Sequence, residues 1–235
     1  MKLSTEQIEM LLNTSEKQVC VTDECCVQLV AIADLPSRFG DFQICGFISP
    51  CDQKEHTAII KGDVVDKEGV VTRVHSECLT GDVMGSKRCD CRDQLLESLK
   101  IIEKEGTGIV LYLRQEGRNI GLTEKIKAYA LQDTGLDTID ANIHLGFQPD
   151  ERDYGIAANI LNNLKVKSIK LLTNNPEKIQ QLMAAGITID ERLPLITEVS
   201  EHSRAYLETK ATRSGHLLGN LAETRDVKTL SLIHI

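Results

Sequence analysis

The chain has 235 residues, 41% hydrophobic and 26% charged, which is the balance of a globular fold with enough length for a sizeable core. A net charge of −8, no tryptophan and 3% aromatic residues argue against a nucleic-acid polymer as partner. No apolar run approaches bilayer length, and Met1–Gln7 carries no apolar signal core, so a cytoplasmic protein without a membrane anchor is expected.

Residues 1–26 are polar with one amphipathic stretch at Ile8–Leu12 and read as an N-terminal extension holding one helix. Segments 27–33, 39–48, 56–61 and 69–76 cluster β-branched and apolar residues between Pro36, Gly40-Asp41, Pro50 and Gly62-Asp63. They predict an antiparallel, β-rich N-terminal half. The rhythm then changes. Gln94–Glu105 has helical spacing and stops at Gly106. Gly108–Leu113 reads as a buried strand, Leu122–Gln132 and Tyr154–Leu164 as helices, and Ser168–Leu172 as a strand. Asn175 is a good N-cap with Pro176 at the first helical position of a helix that runs to Gly186. His202–Arg213 predicts a last helix, and 219–235 a tail without period. The expected class is α+β: a mixed sheet with flanking helices in a single catalytic domain over 27–218.

Eight cysteines in a reducing compartment point to metal ligands or small buried hydrophobes rather than disulfides. Cys78, Cys89 and Cys91 stand at C-x₁₀-C-x-C. Three thiolates hold Zn²⁺ and leave the fourth position open, the form of a catalytic site. From spacing alone, buried or redox-active thiols are the alternative. Cys20, Cys25, Cys26, Cys45 and Cys51 have no paired spacing and read as incidental. Lys87, Arg88 and the start of the following helix would help keep the thiols ionised.

Three further runs have chemistry in them. Arg114-Gln115-Glu116-Gly117-Arg118-Asn119-Ile120-Gly121 lies between a strand and a helix, where glycines and arginines suit an anion. It lacks the Walker A pattern, and a plain turn with solvated arginines fits as well. Pro149–Gly155 brings Asp150 and Arg152 to a helix start, where they could serve as a base and a phosphate holder, although a charged helix start is also a common structural feature. Leu172–Lys178 puts Thr173 and Lys178 where a nucleotide would suit, although helix capping by Asn175-Pro176 explains much of that run.

Taken together, RVHSECLTGD (73–82), RCDC (88–91), RQEGRNIGL (114–122), KIKAYALQD (125–133), DERDYG (150–155), LLTNNPEK (171–178) and TKATRSGHLL (209–218) resemble the GTP cyclohydrolase II family. The resemblance spans most of 27–218. It implies that GTP and water give formate, pyrophosphate and 2,5-diamino-6-(5-phosphoribosylamino)pyrimidin-4-one, the first step of riboflavin synthesis. It implies Zn²⁺ on Cys78, Cys89 and Cys91, and Mg²⁺ on the GTP triphosphate. Arg73, Val74, His75, Ser76 and Glu77 would line the nucleotide site. Gln94, Glu116, Gly117, Arg118, Thr138, Thr173 and Lys178 would add contacts. Asp150 matches the proton acceptor, Arg152 a nucleophile toward the α-phosphate, and Tyr129 a tyrosine beside the opened ring that favours complete hydrolysis. A guanidinium stays protonated at neutral pH, so a phosphate clamp is the more ordinary role for Arg152. Arg92 stands where relatives often carry glycine. A homodimer with a single activity is expected, since the chain is too short for a fused dihydroxybutanone-phosphate synthase domain. Two other readings compete. A paralogue would bind GTP without releasing formate. A zinc-stabilised binding module would unfold on Cys89→Ser.

Overall fold

A computed structural model describes residues 2–16, 27–50, 52–195 and 197. The helix expected at 202–213, the tail after 218, and Cys20, Cys25, Cys26 and Cys51 lie outside the described residues. Strands β1 (Gln28–Ser37), β2 (Gly40–Ser49) and β3 (Lys54–Lys61) form an antiparallel meander. β5 (Gly108–Leu113) continues it, antiparallel to β3. Beyond it, β4 (Val70–Ser76) pairs parallel with both β5 and β6 (Ile169–Leu172), and β7 (Ile189–Leu193) pairs parallel with β6. The whole is one seven-stranded mixed sheet ordered β1-β2-β3-β5-β4-β6-β7.

The run 69–76 therefore does not belong to an antiparallel half. β4 is a central parallel strand, and its residues Val70 to His75 are all buried. A strand covered on both faces is buried without alternation, which is the mark of parallel packing. A helical crossover between β4 and β5 makes the parallel pairing possible.

The helices are α1 (Thr5–Glu16), α2 (Cys91–Glu105), α3 (Leu122–Asp133), α4 (Thr138–His144), α5 (Gly155–Asn163) and α6 (Pro176–Ala184). Ser4 and Gln7 form a capping box at the start of α1: the Gln7 N–H donates to Ser4 Oγ and the Ser4 N–H to Gln7 Oε1. Leu3 and Leu11 then enter the main core, and Ser15 Oγ accepts from the Leu29 N–H of β1. α2 ends where Gly106 takes φ 75°, a left-handed position that glycine adopts at no steric cost. Asn175 caps α6 through the Glu177 N–H, with Pro176 behind it, as the residue order predicts.

Two hydrophobic layers clamp the sheet. On one face Val74, Leu111, Leu113 and Leu171 pack with Ile160 and Leu161 of α5 and Leu182 of α6. On the other, Val71, Val110 and Leu172 pack with Leu99 and Ile102 of α2. The chain thus leaves β4 toward one face and β6 toward the other, although the two strands are neighbours. Such a reversal opens a crevice outside the carboxyl ends of the strands, the usual ligand position in parallel sheets.

His56, in the middle of β3, ties the antiparallel part to this crevice. It is fully buried, and its Nδ1 accepts the Arg114 N–H at 3.1 Å, just where the chain leaves β5. Its Nε2 stands 3.3 Å from Asp52 Oδ2. Burial lowers its pKa below the ordinary 6.5, and Asp52 only partly opposes this. A depressed imidazole contributes stability that is fully present above the ordinary value and is lost as pH falls through the folded one. We therefore expect the urea midpoint to hold at neutral pH and to decline below about pH 6.5. His56→Asn, which keeps an acceptor for Arg114, should flatten that decline. An unaltered slope would show that His56 does not titrate with unfolding.

Candidate active site

The loops after β4, β5 and β6 enclose a cavity of about 620 Å³ at the switch point, within the range of small-ligand sites. Six Arg and Lys side chains line it against four Asp and Glu, inside a chain of net charge −8. A local basic pocket in an acidic protein selects for an anion.

The thiols sit at the end of β4. Cys78 follows the strand by two residues, and Cys91 is the first residue of α2, one turn earlier than the Gln94 start read from the sequence. The three sulfurs lie within 4.8 Å of one another, and Cys78 and Cys89 are 3.6 Å apart. Zn–S bonds of ~2.3 Å in a tetrahedron need sulfurs roughly 3.8 Å apart, so the trio fits a zinc ion closely. All three also line the cavity, so the open face of the trio looks toward a ligand. The soft donor set suits zinc better than a hard cation. Among the described residues this trio is the one cluster of three or more side chains with ligand atoms close enough to share a metal ion.

A π-helical turn, Leu79–Val83, folds over the sulfurs. Gly81 makes this possible. A Cβ there would lie 2.8 Å from Cys89 Sγ and 3.0 Å from Cys78 Sγ. Two carboxylates tie the turn down. Asp82 Oδ2 accepts from the Cys78 N–H at 3.0 Å, from the Tyr112 hydroxyl at 2.9 Å and from His75 Nε2 at 3.0 Å. His75 stacks on the Tyr112 ring, with centroids 5.4 Å apart. Glu116 Oε2 accepts the Leu79 N–H at 2.6 Å, and its Oε1 takes Lys125 at 2.6 Å and the Gly117 N–H at 3.0 Å.

The ammonium beside the thiols is Lys125, whose Nζ donates to Cys78 Sγ at 3.1 Å. Arg88, expected to do this, instead pairs with Asp133 and lies over the Tyr129 ring, while Lys87 is exposed. Hydrogen bonds from Cys89 and Cys91, with Lys125 beside them, hold the Cys78 thiol well below the ordinary thiol range. The same hydrogen bond to Cys78 pushes Cys89 up, to about 11, and Cys91 also rises.

The remaining expected residues divide into those on the cavity wall and those behind it. Arg73 donates to Leu172 O at 3.0 Å and to Gln94 Oε1 at 2.5 Å, and Gln94 donates on to Asp90. Its Nε and the Nδ1 of His75 are buried without a hydrogen-bond partner among the described residues. Ser76, Glu77, Gly117, Arg118, Thr138, Thr173 and Lys178 all reach the wall. Val74 and Glu116 do not. The Val74 side chain is core, and its carbonyl accepts Lys178 Nζ at 2.6 Å. Glu116 has both oxygens engaged by the turn and Lys125, and Arg114 turns away to Glu77 at 2.8 Å.

Gly117, Arg118, Asn119 and Gly121 all take positive φ, which curls the loop after β5 over the site. Arg118 and Asn119 then clip it to the carbonyls of Pro149 and Glu151. That contact places Asp150 and Arg152 on the wall, where they form a two-pronged ion pair, one bond being Arg152 Nε to Asp150 Oδ1 at 2.8 Å. Burial works to raise the Asp150 pKa, but Arg152 and then Arg118 outweigh it and keep the carboxyl ionised. Tyr129 reaches in from α3, its hydroxyl 3.2 Å from Thr80 Oγ1. Burial raises its pKa, so it is a neutral phenol at neutral pH.

Sequence reasoning did not single out Gly81, Asp82, Tyr112 or Lys125. Gly81 and Asp82 stand inside the RVHSECLTGD run, which was the available signal. Lys125 likewise heads the KIKAYALQD run, whereas Tyr112 looked like an ordinary strand residue that no spacing marked. We expect Gly81→Ala to weaken zinc binding by about tenfold or more, in line with other changes around metal ligands, with folding retained by circular dichroism. Competition with a chromophoric chelator measures it, and an unchanged affinity would mean that the turn moves freely off the sulfurs.

The sequence profile of the GTP cyclohydrolase II family matches residues 28–194. The protein named GTP cyclohydrolase-2 from Buchnera aphidicola is 54% identical over 192 residues, covering 82% of this chain and 99% of that one. The GTP cyclohydrolase-2 of Azotobacter vinelandii is 52% identical over 195 residues, covering 83% of this chain and 94% of its own length. Riboflavin biosynthesis protein RibBA of Bacillus subtilis is 56% identical over 185 residues, which are 78% of this chain but 46% of that protein. The chain spans less than half the length of the RibBA relatives it matches. With these likenesses laid over the thiol trio, the tied-down turn and the basic crevice, the chain belongs to the GTP cyclohydrolase II family.

Proposed function

We propose that the chain hydrolyses GTP to formate, pyrophosphate and 2,5-diamino-6-(5-phosphoribosylamino)pyrimidin-4-one, the entry reaction of riboflavin synthesis. One juxtaposition carries the reading. Three thiols able to hold zinc and a cluster of arginines and lysines open into the same cavity. A purine ring needs the first and a triphosphate the second.

Zinc, when bound, supplies the Lewis acidity that makes water a nucleophile at neutral pH. The chain's own residues do the rest. Arg118 and Lys178 provide charge for the phosphates, and the buried, unpartnered Arg73 Nε and His75 Nδ1 mark polar capacity beside the guanine side. Asp150, ionised, accepts a proton. Arg152, charged and already oriented by Asp150, clamps phosphate and stabilises charge as pyrophosphate leaves. Tyr129, a neutral phenol next to Thr80, donates or relays a proton as the ring opens. The described residues offer no carboxylate cage for Mg²⁺, so that ion would arrive on the triphosphate, held by phosphate oxygens and water. A cytoplasmic homodimer is the expected setting.

The test is GTP turnover by the zinc-loaded protein, following formate, pyrophosphate and the pyrimidine absorbance. We expect all three, and loss of formate on chelation. Asp150→Asn should lower kcat by about 10²–10⁴-fold with zinc content intact. GTP binding without any product would overturn the reading.

A further inference from the structure

We propose that Lys125 is a positioning residue of the metal centre: its ammonium, aimed by Glu116, donates to the Cys78 sulfur and offsets the charge of the thiolate trio. The inference rests on the reading that Cys78, Cys89 and Cys91 hold a divalent ion.

Three thiolates around a divalent cation leave a formal charge of −1, in a site where Cys78 is 6% exposed. A buried net charge is costly unless a partner meets it. Lys125 is the partner the fold provides. Its side chain is 11% exposed, and Nζ lies 3.1 Å from Cys78 Sγ and 2.6 Å from Glu116 Oε1. An ammonium has three donors. Two are committed to these anions, and the group also lies 5.6 Å from the centre of the Tyr129 ring.

Glu116 is not simply the lysine's counter-ion. Its charge is shared with the Leu79 and Gly117 N–H groups, so one carboxylate fixes the turn over the sulfurs and aims the ammonium at one of them. Gly117 lies close on this path: it takes φ 63°, and a Cβ there would stand 3.0 Å from Lys125 Cβ and crowd it. A hydrogen bond into a ligand sulfur draws electron density away from the metal. The ion keeps more of its acidity than three unshielded thiolates would leave it. Lys125 is thus placed to act through Cys78.

Cobalt substitution tests this, because the sulfur-to-cobalt charge-transfer band reports the donor strength of the thiolates directly. Wild type, Lys125→Met and Lys125→Arg would be titrated with Co²⁺ in the full chain, with folding checked by circular dichroism. We expect Lys125→Met to move the band to longer wavelength and to weaken apparent metal affinity at neutral pH by about 10–100-fold. Lys125→Arg, which keeps the charge, should return the band toward wild type. If the methionine variant does not fold, Lys125→Gln replaces it and must move the band the same way. A wild-type band position in a folded neutral variant would overturn the role of Lys125 and leave the metal reading standing. Failure of the wild-type protein to bind Co²⁺ or Zn²⁺ would overturn the metal reading and the inference with it.

Discussion

The site depends on keeping one short turn pressed onto three sulfurs. Local hydrogen bonds shape Leu79–Val83 but do not by themselves fix it against the sheet. A π-turn has poor intrinsic stability, and its Gly81 brings backbone to within a methyl group of Cys78 and Cys89. The turn holds because two buried carboxylates anchor it, its own Asp82 and Glu116 from the loop after β5. Asp82 hangs from the Cys78 amide, Tyr112 and His75, and Glu116 takes the Leu79 amide. Tyr112 belongs to β5 and His75 to β4, so the parallel pairing of these strands sets the sulfurs' position. A register slip of one residue between them would turn one of the two side chains to the other face of the sheet and separate the pair.

The same strand register separates chemistry from packing. Along β4, Arg73 and His75 point to the face shared with α2 and reach the crevice, while Val74 points to the α5 and α6 face and joins the core. Alternation lets one strand serve both purposes. It also explains how Val74, whose side chain is core, still serves the cavity through its backbone: its carbonyl orients Lys178, which carries charge to the cavity wall.

Charge in this protein is a matter of placement. The chain is acidic overall, yet six of its arginines and lysines gather around the cavity outside β4, β5 and β6. Several basic side chains in this region are paired with carboxylates before any ligand arrives: Arg152 with Asp150, Lys125 with Glu116, Arg114 with Glu77. Such pairs hold long, flexible side chains in a chosen direction, and a bound polyanion then meets oriented cations rather than mobile ones. Arg114 illustrates the limit of counting charges. It sits in the motif, but its pairing with Glu77 leaves it off the cavity wall.

Much was legible from residue order alone. Three thiols at C-x₁₀-C-x-C, the strand before Arg114, the Asn175-Pro176 cap and the helix stop at Gly106 all appear where local chemistry put them, because each is fixed by neighbours in sequence. The short helix α4 and the edge strand β7 were not foreseen, since seven and five residues are too few to show a period. Only the tertiary structure decided that β4 lies among parallel strands, that Glu116 faces the turn instead of the cavity, and that Lys125 rather than Lys87 or Arg88 meets the sulfur. These are encounters between residues 9 to 99 positions apart in the chain. Sequence spacing carries the local geometry of a turn or a helix face, but a contact across a sheet exists only once the strands have chosen their partners.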